Sequence, residues 1–151
     1  MPHGIYAYEK KEVGIMFAVN YVGVVVAAVA AFMLGWVWYS PALFGKQYMK
    51  LAGHDKKSKK EQEMMKKKMV PTMLTGFIAT VVTALVLAFF VGAGAGWLEG
   101  VSVAFYAWLG FVAPIMLGMV LWDCRPFQLY VINVTYYLVS LVVMGAIIGA
   151  M

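Results

Sequence analysis

The fold of this chain is decided by residues 13–45, which read VGIMFAVNYVGVVVAAVAAFMLGWVWYSPALFG. No charged side chain interrupts this stretch. A helix needs roughly 20 apolar residues to cross the ~30 Å hydrocarbon core of a bilayer, and residues 13–39 exceed that length. They are too long and too poorly flanked for a cleaved signal peptide, which predicts a retained membrane-spanning helix.

Three more charge-free stretches follow, at residues 69–98, 100–122 and 126–151. The chain has 12 basic and 7 acidic residues, and all of them lie outside the four stretches. A soluble domain of this size cannot leave so much of its sequence without charge, so the pattern indicates a multi-pass membrane protein. We predict a single all-α domain, residues 1–151, with spans at about 13–39, 71–91, 101–122 and 127–149.

The basic residues predict the orientation of this domain. Nine lysines lie in the connection between the first two spans, residues 42–70, and Arg125 lies in the connection after the third span. The opposite side carries only Lys10 and Lys11. Because short cytoplasmic loops are enriched in Lys and Arg, we expect residues 42–70 in the cytoplasm and both termini outside the cell membrane.

The connection 42–70 is predicted to contain two short helices. Residues 42–52, ALFGKQYMKLA, separate apolar from basic positions, which is typical of an amphipathic helix in the membrane interface. Ser58 and Glu61 have the spacing of a capping box, so a polar cytoplasmic helix is expected to begin there and lead into the second span. Pro71 predicts a kink or a fresh helix start.

Five lysines of this connection are predicted to lie at the depth of lipid headgroups. They are expected to bind anionic lipid, because basic residues are attracted to a negatively charged leaflet. The alternative is that they only fix the orientation during insertion. The residues are Lys46, Lys50, Lys66, Lys67 and Lys68.

Small residues repeat at spacings of three and four in several spans, which places them on one helix face. In lipid, small residues let helices approach closely, and they therefore mark contacts between helices or self-association. In the third span the repeat joins Ser102, Tyr106, Gly110, Pro114 and Gly118. The predicted packing residues are Gly23, Ala27, Ala31, Gly35, Gly110, Gly118, Gly145 and Gly149.

Polar uncharged residues within the spans are candidates for a polar seam or a cavity. Asparagine, serine, threonine and tyrosine side chains can hydrogen-bond a neighbouring helix or touch a ligand, and the sequence leaves both interpretations open. The candidates are Asn20, Thr72, Thr75, Thr83, Asn133, Tyr137 and Ser140.

The end of the first span carries an aromatic motif, Trp36, Trp38 and Tyr39 followed by Ser40 and Pro41. Aromatic rings at a span end are typical of interfacial anchors, and a binding platform is the alternative. Proline disfavours helical geometry at the residue before it, so the chain is expected to turn at Ser40.

The predicted spans lack the side chains that catalysis or metal binding needs. The spans contain no acid, histidine, lysine or cysteine to act as base, nucleophile or ligand. The single cysteine, Cys124, and the two histidines, His3 and His54, lie outside them. We therefore expect no enzyme activity, no metal and no cofactor. The net charge of +5 is concentrated beside a span, which indicates lipid rather than nucleic acid as its partner.

The residues 35–41, GWVWYSP, followed by Phe44, Gly45 and Lys46, resemble the signature of a family of small bacterial and archaeal membrane proteins, domain of unknown function 1761. Asn20-Tyr21, residues 108–112 with Pro114, and residues 144–146 are also similar to that family. The resemblance extends from about residue 17 to the end of the chain. It implies a four-helix membrane fold, and no activity, ligand or catalytic residue.

Two functions remain open from the sequence. The first is an accessory or scaffolding subunit that packs against other membrane proteins and anionic lipid. The second is a small oligomeric transporter or channel for a neutral polar or lipid-like solute, without proton coupling, because no carboxylate lies within a span. A water-accessible polar cavity in the bundle would favour the second and a dry seam the first. Similar residues at 33–37 and 116–120 also leave an internal duplication open.

Overall fold

The computed structural model describes residues 19–151, and every regular element in that part of the chain is a helix. Four of these helices are long and apolar enough to cross a membrane, Tyr21–Trp38, Met69–Val91, Trp97–Leu121 and Phe127–Ala150. The prediction of an all-helical protein with four membrane-type helices is confirmed. In chain order the elements are α1 (Tyr21–Trp38), α2 (Gly45–Leu51), α3 (Lys59–Lys67), α4 (Met69–Val91), α5 (Trp97–Ala107), a π-helical turn (Trp108–Val112), α6 (Ala113–Leu121) and α7 (Phe127–Ala150).

Helix α1 begins later than predicted, because Asn20 caps it. The side-chain oxygen of Asn20 accepts hydrogen bonds from the backbone N–H groups of Val22 and Gly23, both at 3.1 Å. Its amide nitrogen donates to the carbonyl of Met151 at 3.1 Å. Asn20 therefore ties the start of α1 to the end of α7. The earlier part of the predicted span, residues 13–18, lies outside the described residues.

Helix α5 begins at Trp97, earlier than the predicted residue 101, and Glu99 explains the difference. The Glu99 carboxylate accepts a hydrogen bond from the backbone N–H of Gly96 at 3.1 Å, within the first turn of the helix. A negative charge is favourable at that end of a helix. Glu99 is therefore part of the third span, although its charge makes it look like a boundary in the sequence.

The connection between α1 and α4 contains α2, a 3₁₀ turn at His54–Lys56, and α3. Helix α3 starts with a complete capping box, in which Ser58 and Glu61 each bond the other's backbone N–H. These hydrogen bonds from Ser58 hold the pKa of Glu61 below its ordinary value. Only Lys68 separates α3 from α4, and Pro71 lies in the first turn of α4, where a missing N–H costs little.

Helix α7 is the centre of the bundle and packs against α1, α4 and α5. The core where these four helices meet is built largely from alanines, with a few larger apolar side chains between them. Three of the predicted packing residues of α1, Gly23, Ala27 and Ala31, are buried there. The core residues are Val24, Ala27, Ala28, Ala31, Ala84, Leu87, Ala88, Ala104, Leu141 and Met144.

Helices α5 and α7 meet backbone to backbone at glycines. A Cβ built on Gly145 would collide with the carbonyl oxygen of Gly100 and lie 2.8 Å from the Cβ of Ala104. A Cβ on Gly149 would likewise meet the backbone of Gly96. The pair Gly145 and Gly149 therefore holds two helices of one chain together, in the close-packing geometry that small residues permit.

The predicted packing face of the third span does not pack against another helix of this chain at Gly110 or Gly118. A Cβ built on Gly110 meets nothing within 4 Å, and one built on Gly118 meets the side chain of Trp122 at 3.6 Å. The buried row is Gly100 and Ala104 instead. The π-helical turn after Ala107 inserts extra backbone, so a spacing of four cannot keep one face inward across it.

Candidate functional site

A cleft of about 1180 Å³ lies between α1, α4, α6 and α7, in the half of the bundle next to the lysine-rich connection. The gap arises because α4 packs against α5 but diverges from α6 after the π-helical turn. Pro114 at the start of α6 cannot donate a backbone hydrogen bond, which favours a bend at this point. Ligand pockets typically measure ~300–1,000 Å³, and the cleft slightly exceeds that range, so it is large enough to hold a ligand.

The far end of the cleft is closed and its other side is open. Ser140, Leu141 and Met144 of α7 form the floor and are buried, with Met144 only 2% exposed. Beyond them lie the close contacts between α5 and α7. The rim includes Trp36 and Ile115, which are 74% and 71% exposed. A molecule can therefore enter from the side but cannot pass straight through the bundle in this conformation.

The chemistry of the cleft is apolar, with hydroxyl groups at a few points. None of the described residues that line it is charged. Methionine is prominent, and its flexible, polarisable side chain fits ligands of irregular shape. The methionines are Met69, Met73, Met116, Met119 and Met144.

Two threonines of α4 line the cleft, and each donates its hydroxyl hydrogen to a backbone carbonyl of the same helix. Thr80 donates to the carbonyl of Gly76 and Thr83 to that of Ala79, both at 2.9 Å. A hydroxyl that donates in this way still has lone pairs to accept a further hydrogen bond. Tyr137 is different, because its hydroxyl has no hydrogen-bond partner among the described residues. The cleft therefore offers a free hydroxyl donor at Tyr137 and additional acceptors along α4.

The seven polar residues singled out in the sequence do not share one location. Thr83, Tyr137 and Ser140 line the cleft. Thr72 and Thr75 lie in a shallow groove on α4. The remaining two do not line either cavity. Asn20 lies at the opposite end of α1, where it hydrogen-bonds Met151. Asn133 accepts a hydrogen bond from the Tyr39 hydroxyl at 2.8 Å.

The aromatic motif at the end of α1 attaches that helix to α7. The indole N–H of Trp38 donates to the carbonyl of Ile132 at 3.2 Å, and the hydroxyl of Tyr39 donates to Asn133. Tyr39 also contacts the ring of Tyr136, with centroids 5.2 Å apart. Within the motif Trp36 and Pro41 are exposed, whereas Trp38, Tyr39 and Ser40 are partly buried. Trp38 and Tyr39 therefore act as contacts within the protein.

Two glycines allow this motif to pack. A Cβ on Gly35 would lie 2.8 Å from the Tyr136 hydroxyl. A Cβ on Gly45 would collide with the carbonyl oxygen of Tyr39 and lie 2.6 Å from that of Ser40. Helix α1 ends at Trp38 and the chain turns through Ser40, as Pro41 predicts. The residues 35–45 form a compact corner that makes one wall of the cleft.

The shallow groove on α4 adjoins the cleft. It is lined by Lys68, Pro71, Thr72, Thr75, Gly76 and Ala79, and the last two residues also line the cleft. Gly76 has open space where a side chain would lie. The five lysines predicted at headgroup depth are all exposed, and Lys68 is the one that lies in the groove.

Several cleft residues carried no signal in the sequence. Phe32, Met73 and Tyr136 are ordinary apolar or aromatic residues of a membrane helix, and only the folded bundle brings them to one cavity. The π-helical turn and Pro114 lie where α6 separates from α4, and only Pro114 is visible in the sequence. Among the described residues no cluster of three or more His, Cys, Asp or Glu side chains is present.

Comparison with known proteins identifies one family. The profile described as "Protein of unknown function (DUF1761)" matches residues 22–149. No curated protein and no solved structure matches the chain. The matched region contains α1 to α7 almost entirely, including the corner at residues 35–45 and every wall of the cleft.

Proposed function

The chain belongs to the DUF1761 family of proteins of unknown function, and we propose that it binds a lipid-like molecule in the cleft between α4 and α6. The observation that carries the proposal is the cleft itself, which is large, apolar and open to one side. Binding of this kind is the step that a transporter of a lipid-like solute requires. An accessory subunit has no need of it.

The lining favours a ligand that is mostly hydrocarbon with a few neutral polar atoms. A charged group inside the cleft would lose its hydration without gaining an oppositely charged partner, which is strongly unfavourable. Hydrocarbon chains lose nothing in an apolar cleft, and the methionines adapt to their shape. The free hydroxyl of Tyr137 supplies a donor for an ester or hydroxyl oxygen of the ligand.

A photoreactive lipid tests this proposal. The purified protein in mild detergent is mixed with phosphatidylglycerol that carries a diazirine in one acyl chain, and the cross-linked peptides are mapped by mass spectrometry. We expect saturable labelling of α4 and α6. Met73→Trp should reduce it roughly tenfold, equivalent to ~1.4 kcal/mol, because the indole occupies the cleft. Met73 lines the cleft, whereas the next residue, Leu74, is exposed and does not line it.

Leu74→Trp is the matched control and should label like the unchanged protein. Labelling spread evenly over all four spans, with no difference between the two variants, would mean that lipid contacts only the outer surface. The proposal would then be wrong.

The accessory or scaffolding role is the second candidate. It is favoured by the third span, where Gly110 faces outward with open space around it, the kind of position at which another helix can approach closely. This role predicts that a second polypeptide purifies with the chain in a fixed ratio. Ligand binding predicts extracted lipid instead.

We also propose that the lysine-rich connection faces the cytoplasm, with α2 flat in the interface and Lys46 and Lys50 at headgroup depth. The supporting observations are the excess of basic residues in this connection and the exposure of both lysines. Because four spans separate the termini, both should face outward.

A reporter that is active only in the cytoplasm tests the orientation. Fused after Met151 it should be inactive, because the positive-inside bias places the end of α7 outside. The same reporter inserted after Lys57 should be active, which controls for expression. Activity of the fusion after Met151 would reverse the assignment.

A further inference from the structure

We propose that the ligand of the cleft is an anionic amphiphile whose headgroup binds at Lys68 and whose chain crosses Gly76 into the cleft. This inference rests on the proposed function, since it assigns the headgroup of the same ligand. It begins with the junction of the two cavities, because Gly76 and Ala79 line both the groove that holds Lys68 and the cleft. The groove and the cleft therefore adjoin along α4, and together they form the path from a cation to an apolar cavity on which the proposal rests.

The dimensions of this path fit one lipid chain. Lys68 and Thr83 lie at its two ends on the same helix, 15 residues apart, which corresponds to about 22 Å at a rise of ~1.5 Å per residue. Half of a bilayer that measures ~40–45 Å with its headgroups is about as long, so the path matches the depth of a single leaflet from headgroup to midplane. A headgroup at Lys68 and a chain end near Thr83 is therefore the orientation of a lipid in the membrane.

The charge at the opening fits an oxyanion. Lys68 is exposed and forms no ion pair with any described residue, so its ammonium group is available to a ligand. Lys66 and Lys67 precede it at the end of α3. Among the described residues that line the cleft, the polar side chains are neutral hydroxyls of serine, threonine and tyrosine and the indole of Trp36. The arrangement separates a cationic opening from an uncharged interior, which is the pattern of an amphiphile with one anionic end.

Gly76 lies where the groove and the cleft adjoin, so a larger side chain there should block the path. A Cβ at this position meets nothing within 4 Å, so the substitution starts in open space. Gly110 gives a matched control, because it is also a helical glycine with open space and lies outside the cleft and the groove.

The test uses two photoreactive lipids with identical chains and different headgroups, phosphatidylglycerol and phosphatidylcholine. We expect the unchanged protein to bind phosphatidylglycerol more tightly. Lys68→Gln should weaken phosphatidylglycerol binding about fivefold, as expected for one basic residue beside an anionic lipid, and leave phosphatidylcholine binding unchanged. Lys60→Gln, which removes an exposed lysine of α3 outside the groove, should affect neither lipid. Lys68→Arg, which keeps the positive charge, should retain the preference for phosphatidylglycerol.

The outcomes separate the two proposals. Equal binding of both lipids in the cleft, unaffected by Lys68→Gln, would overturn the headgroup assignment and retain the proposed function. If Lys68→Gln and Lys60→Gln weaken phosphatidylglycerol binding equally, the effect is one of general surface charge. That result also overturns the headgroup assignment. Gly76→Leu should reduce the binding of both lipids, whereas Gly110→Leu should not. If neither lipid labels the cleft of the unchanged protein, the proposed function itself is overturned.

Discussion

Gly145→Leu is expected to separate α5 from α7 and to leave little correctly folded protein. Even a Cβ at this position collides with the Gly100 carbonyl, and both partners are backbone, which cannot rotate away as a side chain can. The helices must move apart, and the alanine core beside them opens. Overpacking a close contact costs about 1–3 kcal/mol or more, and a leucine between two backbones lies at the upper end. The measurement is the temperature at which the monodisperse detergent-solubilised protein is lost.

Gly110→Leu is the control for this prediction. It makes the same change at a helical glycine that has open space around it, so it should leave the melting temperature nearly unchanged. If the two variants melt at the same temperature, the contact between Gly100 and Gly145 does not hold the bundle together, and the packing described for α5 and α7 is wrong.

The number and nature of the spans could be predicted because charge has so strong an effect in a membrane. Each charge-free stretch gave one membrane-type helix. The predicted helix boundaries differ from the observed ones where a polar side chain caps the end of its own helix. Asn20 and Glu99 both cap helix ends through hydrogen bonds to backbone N–H groups. A sequence pattern that treats Asn20 as part of a seam and Glu99 as a boundary cannot recognise either role.

The packing faces were predictable only where the helix is regular. In α1, Gly23, Ala27 and Ala31 follow one uninterrupted α-helix, and the structure buries all three. In the third span the row through Gly110 and Gly118 crosses the π-helical turn, where the register changes. The row buried within the chain, Gly100 and Ala104, also contains small residues, and nothing in the sequence ranks one row above the other.

The cleft could not be predicted, because it is the space left by a helix that diverges. Its floor and walls come from four separate parts of the chain, and the indole of Trp108, which donates to the carbonyl of Val134 at 2.8 Å, holds the turn where α6 departs. No local pattern records that geometry. Methionines and threonines that look like ordinary span residues acquire a joint role only through it.

The motif at residues 35–45 changes its meaning once the structure is known. Aromatic residues at a span end suggest contact with the lipid interface, yet Trp38 and Tyr39 donate hydrogen bonds to α7. Phe44 packs against Trp38, with ring centroids 4.9 Å apart, and its backbone N–H donates to the Trp38 carbonyl at 3.1 Å. Glycine and proline shape the corner, and the aromatic residues fasten it to α7.

Gly45→Ala is therefore expected to open this corner with the smallest possible change in side chain. The new Cβ collides with the Tyr39 carbonyl, so the turn must widen, and the hydrogen bond from the Gly45 N–H to the Ser40 carbonyl at 2.9 Å is lost. The hydrogen bonds of Trp38 and Tyr39 to α7 then weaken as well. We expect a loss of about 2–3 kcal/mol in the free energy of unfolding, because a rigid contact is overpacked.

Tryptic cleavage after Lys46 and Lys50 measures the opening directly, because both lysines lie on α2, which the corner holds in place. In Gly45→Ala these two cleavages should accelerate, together with a fall in the melting temperature. Gly76→Ala adds the same methyl group in open space within a helix, so it should neither accelerate the cleavages nor lower the melting temperature. The collision with Tyr39 forces the turn to widen in Gly45→Ala. If cleavage is nevertheless unchanged, other contacts hold α2, and the claim that the corner holds it is wrong.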